Sequence, residues 1–300
     1  MDRFDELHVF VAILDSTSLS AAARRLHRSA PAITRALAAL EDRVGVRLIE
    51  RTTRRLAPTE AGLRLGAMAR RVLADYADAL REEDQGPLRG SLRITAPRVF
   101  GRRHVTPAVI AFLALHPAVQ VDLVLNDRNM DLIEHGIDLA VRIGPLADTS
   151  MVARRVGEVR RLLVASPAYL ARRGTPASPH ELEQHDVIHS TVRGSNREWR
   201  FHNDGTELAV RIAPRLQVNE IDAILMAVAA GHGIARPLSY QVAEQLANGT
   251  LVRLLRDYEP APLPVQLVVQ SGRHMAPRLR ACRDFLAAQL AALPVIAAQA

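Results

Sequence analysis

The stretch from Ser16 to Gly62 constrains what this chain can fold into more than any other segment. Ser18 and Ser20 are hydroxyl residues of the kind that cap a helix start by accepting its free N–H groups. Ala21, Ala22, Ala23 and Leu26 follow as a short run of good helix formers. His27-Arg28-Ser29 interrupts that run, and Pro31 stands where a new first turn begins and a missing N–H costs nothing. Ile33, Leu37 and Leu40 recur at helical spacing and give the second helix one stripe for a core. Ser29, Thr34 and Arg35 fall on its other face. Two short helices joined by a tight turn, the second bearing hydroxyls and arginine, describe a helix-turn-helix suited to a DNA major groove. Gly45 ends the helix that carries Val44, and Arg51-Thr52-Thr53-Arg54-Arg55 makes a basic connection suited to a wing along phosphates.

Charge supports this placement. Every one of the 39 basic residues is arginine. Nine of them lie between Arg24 and Arg55, against Glu41, Asp42 and Glu50, so this window holds most of the formal net charge of +7. A high-GC genome accounts for arginine in place of lysine, but not for the clustering, which is the footprint expected of phosphate binding.

Three hundred residues suit about two domains, and 48% hydrophobic content is ample for packed cores. Cys282 is the sole cysteine, which excludes a disulfide or a thiolate zinc site within one chain. It lies at helical spacing among Leu279, Phe285 and Leu286 and is expected to be buried. The N-terminus has no basic region ahead of an apolar stretch, and no uncharged apolar run approaches the roughly 18 residues of a membrane span. The expected location is cytoplasmic, with no membrane contact.

From Thr59 to about Gln85, Leu65, Ala69, Val72, Tyr76 and Ala79 fall on one side of a helix, near the ~3.5-residue repeat of a coiled-coil seam. A lone helix of this length needs a partner. It packs either on the chain's own domains or, as expected here for dimerisation, on the same helix of a second subunit. Glu82 to Pro87 then form a polar linker with breakers.

Beyond Gly90 the pattern alternates between strand and helix. Strands are expected at Leu92–Ile94, Val119–Leu125, Ile137–Ile143, Arg160–Ala165 and Val265–Val269. Helices are expected through Val109–Leu113, Met130–His135, Ile221–Ala230 and Leu279–Leu290. Such alternation implies βαβ units around a mostly parallel sheet, and the length suggests two subdomains with a cleft between them. Ligands in such folds sit at the carboxyl ends of strands, and the turn after Ile94 is one such place.

The sequence has no G-x-S-x-G, H-E-x-x-H, Walker loop or G-x-G-x-x-G, so no catalytic or cofactor signature is present. Gly231-His232-Gly233 reads as a helix C-terminus. His180, His185 and His189 read as a solvated connection rather than a metal site. Trp199, the only tryptophan, is either a packing residue or part of a ligand wall.

The whole chain resembles the LysR-type transcriptional regulators. The resemblance rests on Ser18 to Leu26, Ser29 to Arg35, Leu40 to Leu48 and Thr59 to Gly62, and further on Leu92 to Pro97, Asp138 to Gly144 and Ala165 to Leu170. It implies a winged helix-turn-helix at 1–60, a dimerising linker helix at 61–88 and an effector-binding domain at 89–300. That last domain is of the periplasmic-binding-protein-like α/β class, with two Rossmann-like subdomains at about 89–164 plus 269–300 and about 165–268. It further implies promoter DNA, a small-molecule effector, RNA polymerase and a second copy in a homodimer or homotetramer as partners, with no cofactor, no metal and no enzymatic activity.

The DNA-binding set comprises Ser18, Arg28, Ser29, Ala30, Pro31, Thr34, Arg35, Arg51, Thr52, Arg54 and Arg55. Many family members carry Gln where Ala30 stands, so a bidentate adenine contact is lost here. Many also carry Phe or Leu where Ile49 stands. The effector-binding set comprises Thr95, Ala96, Pro97, Arg98, Phe100, Arg142, Gly144, Ser190, Thr191 and Gly233, and its two arginines suit an anionic effector. Other readings are a solute-binding protein, an architectural DNA protein, or a cleft enzyme joined to a DNA module. They leave unexplained, respectively, residues 1–60, the α/β region, and the missing catalytic constellation.

Overall fold

The computed structural model describes residues 2–16, 18–51, 56–79, 87–146, 151–192, 197–203, 205–270 and 275–297, and these form two compact units, Met1–Ser91 and Leu92–Ala300.

In the first unit, α1 (Arg3–Leu14) begins at Asp2, whose carboxylate accepts from the Phe4 N–H. No helix is expected here from the sequence pattern, because Phe4, Leu7, Val9, Phe10, Val11 and Ile13 run nearly all round it and blur the helical period. α2 (Leu19–Arg25) is capped by Ser18, whose Oγ accepts from the Ala21 N–H at 3.1 Å. α3 (Ala30–Val44) has Pro31 in its first turn and ends at Gly45 in the left-handed conformation, φ 72°. The hairpin β1 (Ile49–Arg51) and β2 (Leu56–Pro58) is antiparallel, and α4 (Glu60–Ala79) follows it. Phe10, Ile13, Ile33, Leu37 and Leu48 are among the buried residues of one core. Ile49 is buried with them, so its departure from the family's Phe or Leu is a matter of packing.

Two polar devices fix the hairpin to the helices. The Glu41 carboxylate accepts from the N–H groups of Leu48 and Ile49 at 2.8 and 3.1 Å. Thr59 caps α4, its hydroxyl accepting from the Gly62 N–H and donating to the Arg47 carbonyl. A Cβ at Gly62 would fall on the Leu48 carbonyl, which explains why Thr59-Glu60-Ala61 is followed by glycine.

The second unit has two lobes. The first lobe's strands are β3 (Gly90–Ala96), β4 (Val119–Leu125), β5 (Leu139–Ile143) and β6 (Val152–Val159). Its helical run joins α5 (Arg98–Phe100), a π-helical segment Gly101–Val105 and α6 (Thr106–Leu115). The second lobe follows with β7 (Leu163–Ala165), α7 (Pro167–Arg173), β8 (Val187–Ser190), β9 (Glu198–Asn203) and β10 (Thr206–Arg211). It continues with β11 (Pro214–Val218), α8 (Ile221–Ala229), α9 (Ala243–Ala247) and β12 (Val252–Leu254). The chain then returns to the first lobe as β13 (Leu263–Val269) and α10 (Pro277–Ala291), which packs on α6 and β6.

The first-lobe sheet has the order β4-β3-β5-β13-β6. β3 and β5 are parallel, but β13 runs antiparallel to both β5 and β6. This corrects the expectation of a mostly parallel sheet. β13 arrives from the other lobe rather than through a helical crossover on the same sheet, so nothing forces it to run with its neighbours. The second lobe is mixed in the same way, with β8 and β11 parallel and β7 and β12 antiparallel.

The lobe boundaries shift accordingly. β13 starts at Leu263 inside the first lobe's sheet, ahead of the expected boundary at 268/269, and β7 already belongs to the second lobe at Leu163. The expected strand Arg160–Ala165 is only its last three residues; Arg160 to Leu162 connect the lobes. The expected helix at Met130–His135 is a set of turns, because the Asp131 carboxylate accepts from the Ile133 and Glu134 N–H groups and Gly136 closes the segment at φ 57°.

Candidate nucleic-acid interface and ligand cavity

On α3, Ile33, Ala36, Leu37 and Leu40 are buried, while Ala30, Pro31, Arg35 and Ala38 are exposed and Thr34 is half-buried. Ser29 is the exposed N-cap residue and makes no capping hydrogen bond with its side chain. The expected face of the second helix is therefore outside, with Ser29, Thr34 and Arg35 on it. Ser18, by contrast, spends its hydroxyl on capping α2.

Arg28 is differently placed. Its two Nη atoms donate to the two Asp5 carboxylate oxygens, each at 2.7 Å. This contact holds the Asp5 carboxyl below its ordinary range, first through the hydrogen bond and then through the charge of Arg28. Arg28 thus ties the turn after α2 to α1. Arg25, Arg43 and Arg70 are also spent inside the unit, on Asp15, Glu6 and Asp15 respectively.

Among the described residues Arg24, Arg35 and Arg47 are exposed and form no ion pair. Arg24 and Arg47 entered the sequence argument only as charge; ion pairing, which separates them from Arg25, Arg28 and Arg43, is invisible in a sequence. Arg51 closes β1 and its side chain lies outside the described set, as do Thr52, Arg54 and Arg55.

The seam expected on α4 divides in two. Leu65 packs on the unit's own core and Ala69 is buried, because α4 lies against α1. Val72 and Tyr76 stay 43% and 47% exposed, and Met68, one turn earlier, is 45% exposed. The outward stripe is therefore Met68, Val72 and Tyr76, at steps of four, with the Phe4 ring stacked on Tyr76 at 4.5 Å. The Ala79 side chain lies outside the described set.

A cavity of about 410 Å³ opens between the lobes of the second unit. The first lobe contributes Thr95, Ala96 and Pro97 at the end of β3, Asn126 to Met130 after β4, and Val141, Arg142 and Ile143 of β5. Arg161 contributes from the connection between the lobes. The second lobe contributes Ile188, His189 and Ser190 of β8, Trp199 and Arg200 of β9, Ile221 and Ile224 of α8, and Arg236 to Leu238 with Tyr240. Most of these are carboxyl ends of strands, the usual seat of ligands in α/β sheets.

Thr95, Ala96, Pro97, Arg142 and Ser190 of the expected effector set line this space. Arg98, Phe100, Gly144, Thr191 and Gly233 do not, and each has a structural assignment instead. The Arg98 guanidinium pairs with Glu220 of the second lobe at 3.0 Å, and its N–H donates to the Asp127 carboxylate. Phe100 is fully buried against the edge of Tyr240. Gly144 sits at φ 103°, its N–H donating to the Pro264 carbonyl. The Thr191 N–H donates to the Val218 carbonyl. Gly233, at φ 153°, lies where a Cβ would strike the Asp186 carbonyl.

Trp199 is a cavity wall and a packing residue at once. It is buried, lines the cavity, and donates its Nε1–H to His189 Nδ1 at 3.4 Å. The solvated connection expected for the three histidines therefore holds only for exposed His180. His189 is buried on β8, and half-buried His185 shares a hydrogen bond through Nδ1 with the Tyr169 hydroxyl at 3.1 Å while that hydroxyl accepts from the Asp186 N–H. No group of three or more metal-ligating side chains forms among the described residues.

Arg236 was missed by sequence reasoning. Its guanidinium lies over the Phe201 ring at 4.9 Å and the Trp199 ring at 5.9 Å, and Nη2 donates to the Arg200 carbonyl at 2.6 Å. Burial, and then the charge of Arg161, lower its pKa to about 10, so it remains cationic at neutral pH.

Comparison with known proteins decides the family. The description "LysR substrate binding domain" matches residues 85–291, and "Bacterial regulatory helix-turn-helix protein, lysR family" matches residues 4–63. The chain belongs to the LysR family. It is 34% identical to the HTH-type transcriptional regulator PtxR of Pseudomonas aeruginosa over 299 residues, 99% of this chain and 96% of that protein.

Among solved structures, CrgA, a LysR-type transcriptional regulator from Neisseria meningitidis, superposes with a TM-score of 0.60 at 30% identity. The match covers 97% of this chain and 99% of CrgA. The full-length Vibrio cholerae virulence activator AphB gives 0.59 at 28% identity, covering 95% and 98%. This LysR-family protein is a transcriptional regulator with an N-terminal DNA-binding helix-turn-helix and a C-terminal effector-binding domain. None of its described helices is long and apolar enough to cross a membrane.

Proposed function

We propose that this regulator reads promoter DNA through the exposed face of α3 and is switched by a small molecule in the cavity between its two lobes. The observation that carries the DNA assignment is the contrast within the first unit between ion-paired and unpaired arginines. Arg35 stands on the outer face of α3 beside Thr34, Pro31 and Ala30, and Arg24 and Arg47 are likewise exposed without ion pairs. Such charges are available to phosphates, and a side chain on the outer face of a recognition helix is available to base edges. By sequence alone, Arg51, Thr52, Arg54 and Arg55, whose side chains lie outside the described set, add basic and hydroxyl residues suited to phosphate contact.

Self-association through α4 is the second part of the proposal. Met68, Val72 and Tyr76 form an apolar stripe that this unit covers only in part, with Phe4 against Tyr76, and a second copy of α4 covers the rest while supplying the second half-site reader. The assembly acts in the cytoplasm as a dimer or tetramer, without enzymatic activity. An anionic effector alters the angle between lobes and so the spacing of DNA readers and the access of RNA polymerase. Only an effector that binds the two arrangements with different affinity can do this.

A gel-shift titration on a fragment from the regulator's own promoter, repeated over a salt series, tests the reading. Specific binding whose log affinity falls by roughly 0.9 per phosphate contact for each log unit of salt supports it. Binding that is independent of salt and sequence overturns it.

A further inference from the structure

The charges that line the cavity do not balance, and the imbalance has a direction. Of its two acidic side chains, Asp127 is committed to the Arg98 N–H, and Glu198 is paired with Arg200 at 3.2 Å. Arg200 is further matched by Glu207 at 2.8 Å. Among the described residues Arg128, Arg142 and Arg236 have no carboxylate partner, and of these Arg128 is exposed to solvent while the other two are half-buried. Arg142, on β5 of the first lobe, gives Nη2 to the Met130 carbonyl at 2.8 Å and has no ion pair. Arg236, in the second lobe, rests on the Trp199 and Phe201 rings and gives Nη2 to the Arg200 carbonyl. The nearby carboxylate of Glu259 is taken by both Nε and Nη2 of Arg253.

Partly buried guanidinium groups without a carboxylate are favourable places for a ligand that supplies the charge. Here one such group comes from each lobe, and Val141, Ile188, Ile224 and the Trp199 ring add apolar surface to a lining that also carries Thr95, His189 and Ser190. A ligand with one charged end satisfies one lobe only. A ligand with two charged ends engages both, and only such bridging contact makes affinity depend on the lobe angle.

We propose that the effector is a small dicarboxylate with an apolar middle, one carboxylate held by Arg142 of the first lobe and the other by Arg236 of the second. The proposal rests on reading this cavity as the effector site. The volume of about 410 Å³ lies toward the lower end of small-molecule sites and suits a short diacid rather than an extended metabolite. A planar guanidinium already oriented by two aromatic faces and a carbonyl is prepared for bidentate carboxylate recognition. A lysine at either position keeps the charge but loses the fork.

Trp199 provides the readout, because it is the only tryptophan and forms part of the wall. Full-length protein is titrated with glutarate, adipate, pimelate and suberate, and with the monomethyl ester of each, while Trp199 emission is followed. At least one diacid is expected to give a saturable change with an affinity at least about tenfold above that of its half-ester. Arg142→Gln should lower the diacid to the level of the half-ester and leave one half-ester arm unchanged, and Arg142→Lys should restore part of the difference. Arg236→Gln and Arg236→Lys repeat the test from the other lobe. If Arg236→Gln fails to fold, the diacid-to-ester ratio of the unaltered protein and the Arg142 pair still decide.

Equal affinity of diacids and half-esters overturns the proposal, and so does the absence of a saturable change with any of them. Gel shifts on the same samples separate the two readings. Specific DNA binding with no diacid response removes the ligand class alone. Diacid binding with no specific DNA binding removes the regulator reading and leaves the ligand class standing.

Discussion

Arg35 and Arg236 carry the same guanidinium in two environments, and the contrast divides the molecule. Arg35 stands in water on the outer face of α3, where a phosphate or a base edge costs little to approach and salt competes for the site. Arg236 lies over two aromatic rings in the wall of a cavity, with its acidity raised until its pKa is about 10. The first gains specificity from position along one helix. The second gains it from low dielectric and from groups that β5, β8, β9 and the connection between lobes bring together. Surface recognition is thus written in neighbouring residues, and cavity recognition in distant ones.

The most severe way to separate the two regions is to empty the core under α3. Phe10 is fully buried among Ile13, Ile33 and Leu37, and Phe10→Ala should cost about 3–5 kcal/mol of the first unit's stability. Specific gel shifts should vanish, while Trp199 emission and its response to a cavity probe should persist, since Trp199 belongs to the other compact unit. Loss of both signals together would show that the two units do not fold independently.

Arg35→Ala is the next largest change and leaves folding alone. A base or phosphate contact of this kind contributes about 1–3 kcal/mol, so operator affinity should fall by roughly fivefold or more with an unchanged melting temperature. Arg28→Ala sharpens the point, because its guanidinium serves Asp5. It should lower the melting temperature more than it alters DNA selectivity. An Arg35→Ala variant with unaltered affinity and selectivity would remove the outer face of α3 from recognition.

The unequal legibility of the two regions follows from the same physics. The caps at Ser18 and Gly45, the buried stripe of Ile33, Leu37 and Leu40, and the exposed Arg35 are all set by residues within a few positions of one another. α1 is not legible because its apolar positions run nearly all round and blur the period. In the second unit, Thr95 to Pro97, Arg142 and Ser190, which line the cavity, are legible because they lie at the ends of strands. Arg161, Trp199 and Arg236 join them only because the chain crosses from the first lobe to the second and folds back over the same space, which no local pattern encodes. Arg98 looked like an anion ligand for the same reason in reverse; its partner, Glu220, lies 122 positions away.

The stripe on α4 is a third kind of surface, apolar and only partly covered. Val72→Glu places a charge in the centre of Met68, Val72 and Tyr76, and should weaken self-association by about tenfold or more in sedimentation equilibrium. The isolated unit should melt as before, since Val72 is exposed within it. Leu65→Ala should do the opposite, lowering stability more than association, because Leu65 packs inward. If Val72→Glu leaves the assembly intact, the subunits meet elsewhere and the stripe has another occupant.

The smallest expected effect is at the rim of the cavity, where Arg98 meets Glu220 at 3.0 Å and Arg102 meets Asp222 at 2.7 Å. Both pairs link the first lobe's helical run to the start of α8, and both are largely open to solvent. Ion pairs so exposed are worth about 0–1 kcal/mol, because water and salt screen the attraction and two long side chains are immobilised. Arg98→Ala should therefore shift the affinity of a cavity probe, read through Trp199, by less than about fivefold. That shift should shrink further in high salt, as Debye screening removes what remains of the pair. The Arg98 N–H still donates to Asp127 in the variant, so the helix start keeps its cap. A loss of probe binding as large as that expected for Arg142→Gln would move the anion to the rim and away from the pair formed by Arg142 and Arg236.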